Sequence, residues 1–152
     1  IGRTLDPSIT NVDLVFFDQE DQGEINGWNW ILGSQAYVEK MDETPKELIL
    51  LDMVGAENSH FRYEMTSTDS LKQQIWAVAQ EKGYGDIFVA QNGYSILDDH
   101  TPFLKKGIPA VDIIDITDPN WHTLNDVPEH ISKDTLFAVG DTILTWLEHV
   151  QN

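Results

Sequence analysis

The chain has 152 residues, 41% hydrophobic and 23% charged, a size and composition that predict one globular domain over residues 1–152 rather than a disordered or fibrous segment. The sequence contains no apolar stretch of the roughly 20 residues that a membrane-spanning helix needs. Its 26 acidic residues against 9 basic ones give a net charge of −17, which disfavours nucleic acid and anionic membranes as partners.

Apolar runs typical of strands alternate with helical patterns along the chain. The predicted elements are, in chain order, a strand at 12–17, a helix at 30–40, a strand at 48–54, a helix at 67–82, a strand at 87–90, a short helix after Thr101, a strand at 110–116 and a helix from Ser132 to about 147. Gly83 and Gly107 are stop signals, Pro102 suits a first helical position, and Ser132 is an N-cap candidate. This alternation predicts an α/β fold, a three-layer αβα sandwich with a mostly parallel central sheet.

Acidic residues and histidines follow four of the predicted strands, at the sheet edge where α/β folds bind ligands. They are Asp18, Glu20 and Asp21 after the first strand, Asp52 directly after residues 48–51, Asp98, Asp99 and His100 after the short run at 95–97, and His122 after the strand at 110–116. The chain lacks cysteine, so a zinc ion would be held by histidine and carboxylate groups. Asp21 and His122 are the predicted metal ligands. Their neighbour Glu20 is the candidate for proton transfer, since a catalytic zinc keeps one position open for water or substrate.

Each candidate also has a purely structural interpretation. His122 could be a polar loop histidine stacked on Trp121, and Trp28 and Trp30 could be ordinary core aromatics. Asp52 could cap a helix or satisfy a loop backbone. The remaining structural assignments are Asp99 and His100 as supports of the turn into the Pro102 helix, and His60, His130 and His149 as surface or packing residues.

Five short segments together resemble glutaminyl cyclases and the related zinc aminopeptidases, which belong to the zinc exopeptidase superfamily. They read FFDQED at 16–21, WILGSQ at 30–35, LLDMVG at 50–55, DDHTPF at 98–103 and WHT at 121–123. The resemblance extends from about Val12 to Leu147 and implies the zinc exopeptidase fold, which is phosphorylase/hydrolase-like. It also implies zinc as cofactor and a peptide with a free N-terminus as substrate.

The resemblance assigns roles to individual carboxylates and to one histidine. Glu20 would be the general acid and base, with Asp21 and His122 as zinc ligands. Asp52 and Asp98 would form a hydrogen-bonded carboxylate network beside Glu20. Animal cyclases carry glutamate where this chain has Asp21, whereas bacterial cyclases resemble it in carrying aspartate.

The aromatic residues and the choice of reaction also follow from the resemblance. Trp121 and a tryptophan of the Trp28/Trp30 pair would wall the substrate pocket. Trp121 directly before the metal histidine, and the pair Asp98–Asp99, resemble cyclases more than aminopeptidases, so conversion of N-terminal glutamine to pyroglutamate is favoured. The alternative is an aminopeptidase in which Glu20 activates water and Asp52 joins a second zinc.

The family's domain begins well upstream of the FFDQED segment and supplies further metal ligands there. Only residues 1–11 precede the first apolar run of this sequence. We therefore expect a C-terminal portion of a catalytic domain that binds zinc weakly alone and either self-associates or pairs with a complementing N-terminal segment. A third hypothesis is an inactive fragment or peptide-binding module.

Overall fold

The computed structural model describes residues 1–3, 5 and 11–151, without the side chain of residue 151. Its strands are β1 (Leu48–Leu51), β2 (Phe61–Tyr63), β3 (Phe88–Asn92) and β4 (Ala110–Ile113). Its α-helices are α1 (Leu32–Lys40), α2 (Asp69–Glu81), α3 (Thr101–Lys105) and α4 (Lys133–Gln151), with short 3-10 turns at Ile25–Gly27 and Pro128–His130.

The strands form two parallel pairs. β1 pairs with β4, with Leu48 opposite Ala110 and Leu51 opposite Ile113. β2 pairs with β3 through an irregular register, and β2 also contacts β4. Parallel neighbours need long crossover connections, and α2 supplies the connection from β2 to β3.

Two apolar clusters show that helices cover both faces of the strands. The larger cluster packs α2 and α4 against Val111 and Ile113 of β4, and includes Trp76, whose ring lies 5.3 Å from that of Phe88. The smaller cluster packs α1 and α3 against Ala110 of the same strand. Alternate residues of a strand point to opposite faces, so β4 is buried on both sides. The predicted three-layer α/β fold is confirmed.

The helix signals in the sequence correspond to observed helix ends. The Ser132 hydroxyl accepts a hydrogen bond of 3.2 Å from the Thr135 amide at the start of α4. Gly83 and Gly107 follow α2 and α3 with φ of 84° and 83°, a left-handed backbone that glycine adopts without a steric penalty. Within the described part of the chain, every helix is too short or too polar to cross a bilayer.

The prediction of a strand at residues 12–17 is wrong. This segment has no regular structure, and the Phe16 side chain is 91% exposed, while Phe17 packs against Tyr37 of α1 and Phe103 of α3. A strand exists only where a neighbour completes its hydrogen-bond ladder, and among the described residues no strand pairs with this segment. The helix predicted at 30–40 begins at Leu32, because Ile31 adopts a left-handed φ of 56°.

Candidate functional site

The Glu20 segment is positioned by the start of α1. The Ile31 amide donates to the Glu20 carbonyl at 3.2 Å, and the Leu32 amide donates to the Gln19 carbonyl at 3.3 Å. Gly33 makes this approach possible, because a Cβ atom there would lie only 2.1 Å from the Asp18 carbonyl oxygen. The conformation of α1 therefore fixes the place from which the Glu20 side chain extends.

Asp52 and Asp98 reach the same region from two other elements. Asp52 directly follows β1, where its amide donates to the Ile113 carbonyl at 3.2 Å and its carboxylate accepts the Met53 amide at 2.9 Å. Asp98 lies in the turn before α3 and is buried, and the Thr101 amide donates to its carbonyl at 2.8 Å. The Asp98 and Asp52 carboxyl groups are close enough for Asp98 to donate a hydrogen bond to Asp52.

Crowding and burial change the protonation of these carboxyl groups. The pKa of Glu20 is raised to about 8, mainly by burial. The hydrogen bond with Asp21 and the Asp21 charge contribute next, followed by the charges of Asp98 and Asp52. Burial and the Asp52 charge raise the pKa of Asp98 to about 7, and burial also raises the pKa of Asp52. Carboxyl groups that exchange protons near neutral pH are suited to general acid and base chemistry.

His122 and Asp21 approach each other at the exposed side of this cluster. The distance from His122 Nε2 to Asp21 Oδ1 is 3.7 Å, and both side chains are more than half exposed. The Trp121 and His122 rings stack with centroids 4.2 Å apart at an interplanar angle of 27°. His122 has a left-handed φ of 57°, so the loop backbone as well as the stacking sets its orientation.

The His122–Asp21 pair fits part of a zinc site. Two ligands at about 2.0–2.2 Å from a tetrahedral zinc lie roughly 3.3–3.6 Å apart, close to the observed separation. Imidazole nitrogen and carboxylate oxygen are also ligands that zinc accepts. Over the described residues, however, no group of three or more His, Asp or Glu side chains is arranged to hold a metal ion. The pair therefore accounts for two of the ligands that a catalytic zinc needs.

The three tryptophans predicted to wall a pocket have different surroundings. Trp121 is 40% exposed beside His122, and Trp28 is 49% exposed. Trp30 packs over Gly23, where a Cβ atom would lie 1.9 Å from the indole ring. A broad concavity of about 680 Å³ has its lining along α1 and the following turn, including Tyr37 and Met41, rather than at these tryptophans. The substrate-binding role of the tryptophans remains a prediction.

A second group of buried polar side chains, Glu64, His100 and Asp112, lies next to the carboxylate cluster. The sequence predicted only a turn-supporting role for His100 and gave no role to Glu64 or Asp112. All three side chains are fully buried, and charge from Asp98 and Asp52 reaches Asp112. An aspartate inside an apolar strand is a signal that could have indicated Asp112, because aspartate is rarely buried without a reason. No comparable signal marks Glu64.

Comparison with known proteins identifies the family to which the chain is similar. Residues 3–147 match Peptidase family M28. A glutaminyl-peptide cyclotransferase of Boiga irregularis is 27% identical over 83% of this chain and 42% of its own length. An aminopeptidase of Bacillus subtilis is 30% identical over 90% of this chain and 31% of its own length. The chain thus spans less than half the length of these two relatives.

Two solved structures share the fold. The Porphyromonas gingivalis glutaminyl cyclase superposes with a TM-score of 0.80 at 35% identity, covering 88% of this chain and 54% of its own. A Zn-dependent exopeptidase from Parabacteroides distasonis superposes with a TM-score of 0.79 at 32% identity, covering 87% of this chain and 52% of its own. The chain corresponds to about half of each structure.

Proposed function

The chain belongs to Peptidase family M28, and from this premise we propose that it carries part of the site of a zinc-dependent enzyme acting on peptide N-termini, specifically a glutaminyl-peptide cyclotransferase. The observation that carries the proposal is the position of the Glu20 carboxyl group, which hydrogen-bonds Asp21 beside the His122–Asp21 pair. The cyclases among its relatives and structural neighbours support the choice of reaction.

Asp21 and His122 are the residues of this chain that would hold the zinc ion. Their spacing of 3.7 Å and their donor types support this assignment, as does the similarity to a structure named a Zn-dependent exopeptidase. A zinc bound there would polarise the side-chain carbonyl of an N-terminal glutamine. Stacking on Trp121 limits rotation of the His122 ring and keeps its Nε2 directed at Asp21.

Glu20 would transfer the proton that the cyclisation moves. The glutamine α-amine attacks its own side-chain amide carbon, so one C–N bond forms, the other C–N bond breaks and ammonia leaves. Glu20 accepts the proton that the amine loses and donates it to the departing ammonia. Without a metal the pKa of Glu20 is raised to about 8, and a zinc ion on Asp21 would lower it, so that the carboxyl group can both accept and donate a proton near neutral pH. The charges of Asp98 and Asp52 act on Glu20, and a hydrogen bond joins Asp98 to Asp52.

The aromatic side chains would orient the substrate. Trp121 and Trp28 are about half exposed, so each can cover apolar atoms of a bound glutamine. Amine and amide belong to the same residue, and holding that residue bent brings the reacting atoms together before the reaction begins.

The second candidate is an aminopeptidase, and the 30% identity to the Bacillus subtilis enzyme over 90% of this chain favours it. In that reaction Glu20 would take a proton from water and Asp52 would help to hold a second zinc. The same carboxyl cluster would serve both reactions. The product, rather than the geometry, distinguishes them.

The test uses the full-length protein with zinc and a peptide that begins with glutamine, followed by mass spectrometry. A peptide that loses the mass of ammonia and keeps all its residues supports the cyclase, and release of free glutamine supports the aminopeptidase.

Glu20→Gln should remove either activity while zinc content stays near the wild-type value. The matched control is Glu24→Gln, an exposed glutamate in the next turn, which should keep the activity. Zinc-loaded protein that leaves both peptide bond and N-terminus unchanged would refute both candidates.

A further inference from the structure

Glu64 is a buried carboxylate that collects an unusual number of donors. It accepts hydrogen bonds from the Thr66 amide and hydroxyl, the Ser67 amide and hydroxyl, and the Ile96 amide, at distances from 2.7 to 3.0 Å. Burial alone would raise the pKa of Glu64, but the hydrogen bonds from His100, Ser67, Thr66 and Ile96 outweigh it and hold that pKa below its usual range. Glu64 is therefore ionised.

The hydroxyl of Thr66 fixes the proton on one nitrogen of His100. This hydroxyl has a single proton, which it donates to Glu64, and its oxygen lies 2.8 Å from His100 Nε2. The oxygen must therefore accept a hydrogen bond from Nε2–H, and Nε2 also lies 3.3 Å from Glu64 Oε2. Since Nε2 carries a proton, the charge of the ring depends only on the other nitrogen, Nδ1.

His100 Nδ1 faces the Asp112 carboxyl group across a gap slightly too long for a hydrogen bond. Nδ1 lies 3.7 Å from Asp112 Oδ2. Among the described residues, neither Nδ1 nor either Asp112 oxygen has a hydrogen-bond partner of ordinary geometry, although a protonated Asp112 lies close enough to Asp98 to donate a proton to it. Leaving one such buried group unpaired costs about 1–3 kcal/mol, and more for a charged group. An approach of about 0.8 Å would join Nδ1 and Oδ2 in a hydrogen bond.

The surrounding charges oppose an unprotonated Asp112 beside a neutral His100. Asp98, Asp52 and Glu64 are the carboxyl groups whose charge acts on Asp112. The amine of Lys72 donates to the Glu64 carbonyl and forms an ion pair with Asp69. An ionised Asp112 would add a further negative charge to this buried space, and a proton is needed to neutralise it. His100 Nδ1 and Asp112 Oδ2 are the two facing atoms that can hold that proton.

We propose that His100 Nδ1 and Asp112 Oδ2 share one proton, and that this pair, anchored through Nε2 to Glu64, is a positioning device for the Asp98 carboxyl group. His100 belongs to the same turn as Asp98, which the Thr101 amide closes through the Asp98 carbonyl. The shared proton removes one negative charge next to Asp98 and ties the Asp98 turn to β4. The shared proton stands independently of the reaction, whereas its effect on turnover rests on the proposed function.

The direct test is ¹⁵N NMR of the full-length protein with labelled histidine. In the wild type, the Nδ1 resonance of His100 should lie between the positions typical of protonated and of unprotonated ring nitrogens, and Nε2 should be protonated. Asp112→Leu should move Nδ1 to the position of an unprotonated nitrogen without a hydrogen bond. His60 and His130 are exposed and serve as internal controls that should not shift. The rival arrangement shares the Asp112 proton with Asp98 instead and predicts an Nδ1 resonance that is the same in wild type and variant, a result that would overturn the proposal.

A conservative variant keeps the test decisive if Asp112→Leu does not fold. Asp112→Asn keeps the shape and a hydrogen-bonding group but cannot exchange its amide proton with the ring. Nδ1 should then take the position of a fully protonated or a fully unprotonated nitrogen. Persistence of the intermediate resonance in Asp112→Asn would overturn the proposal.

The positioning role has its own kinetic signature. Asp112→Leu should lower kcat by about 10- to 100-fold with little change in KM, the range found when supporting hydrogen bonds behind active-site groups are removed. Asp112→Asn should restore most of that loss, which a merely structural defect would not predict. Equal kcat values in the Leu variant and the wild type would refute the positioning role. Wild-type protein without either activity would refute the proposed function and leave the NMR result unaffected.

Discussion

Glu64→Gln is the substitution with the largest expected effect on stability, because it removes a buried charge while preserving side-chain shape. Glu64 is only 1% exposed and accepts hydrogen bonds from two hydroxyls and three amides. A glutamine offers a single acceptor oxygen and turns its NH₂ group toward donors that have nowhere else to bind. Removing one partner from a buried, hydrogen-bonded charge network costs about 3–5 kcal/mol. We expect a loss of that size in the free energy of unfolding.

Urea unfolding of the full-length protein measures this loss. With a slope of about 2–3 kcal/mol per molar urea, the midpoint should fall by about 1–2 M while the slope stays constant. Glu43→Gln is the matched control, since Glu43 is exposed and its substitution should change stability by less than about 0.5 kcal/mol. Equal midpoints for the two variants would show that the donors around Glu64 do not depend on its charge, and the reasoning would be wrong.

Three further substitutions test the carboxyl cluster, the support of the Glu20 segment and the stacked histidine. Asp98→Asn should stabilise the metal-free protein by about 1–3 kcal/mol at pH 8. The reason is that the pKa of Asp98 is raised to about 7 in the folded protein, so the wild type loses stability as the pH rises from about 4 to 7. Thermal melts at pH 4 should therefore show no gain in stability for the variant. Gly33→Ala should lower the free energy of unfolding in urea by about 1–3 kcal/mol and reduce turnover, because its Cβ atom would lie 2.1 Å from the Asp18 carbonyl oxygen. Wild-type stability together with wild-type turnover would contradict the close approach. Trp121→Ala should weaken zinc binding by up to about tenfold in competition with a chromogenic chelator, since stacking on His122 contributes about 0.5–1.5 kcal/mol, and unchanged affinity would exclude that contribution.

The parts of the fold that the sequence predicts are those with a local physical cause. The runs that became β1 and β4 are apolar on both faces except at Asp112, as expected of strands covered by helices on two sides. α4 begins after Ser132 because that hydroxyl can accept a hydrogen bond from an unpaired amide of the first turn. Such signals depend on neighbours in sequence, so they can be recognised without the structure.

The failures of prediction concern elements that depend on distant partners. Residues 12–17 have the composition of a strand, but composition does not provide the neighbouring strand that the hydrogen-bond ladder needs. β2 was not predicted because its composition is not typical of a strand, although a neighbouring strand is present. It has only three residues, one of them Arg62, and becomes a strand because β3 lies beside it.

Prediction of the candidate site was limited in the same way. The rule that ligands bind beyond the carboxyl ends of parallel strands predicts the place of Asp52 directly after β1, and the structure brings its carboxyl group into contact with that of Asp98 in the turn before α3. The approach of His122 to Asp21 depends on a loop with left-handed backbone, which no local pattern specifies. The role of Glu64 depends on donors from the Ile96 loop and from His100, which are far away in sequence.

The buried acidic groups are stabilised by two opposite means, and this difference separates the anchor from the reactive part of the cluster. Glu64 stays ionised because donors surround it, whereas burial raises the pKa of Asp98, Asp52 and Asp112 and neighbouring charges add to that rise. A carboxylate saturated with donors has a fixed charge and orientation, which suits an anchor. Carboxyl groups that share too few protons can redistribute them at little cost, which suits a network beside Glu20, the group that we propose accepts and donates a proton. His100 contacts Glu64 through Nε2 and faces Asp112 through Nδ1. The position of the Nδ1 proton therefore couples the ionised Glu64 to the carboxyl groups that exchange protons.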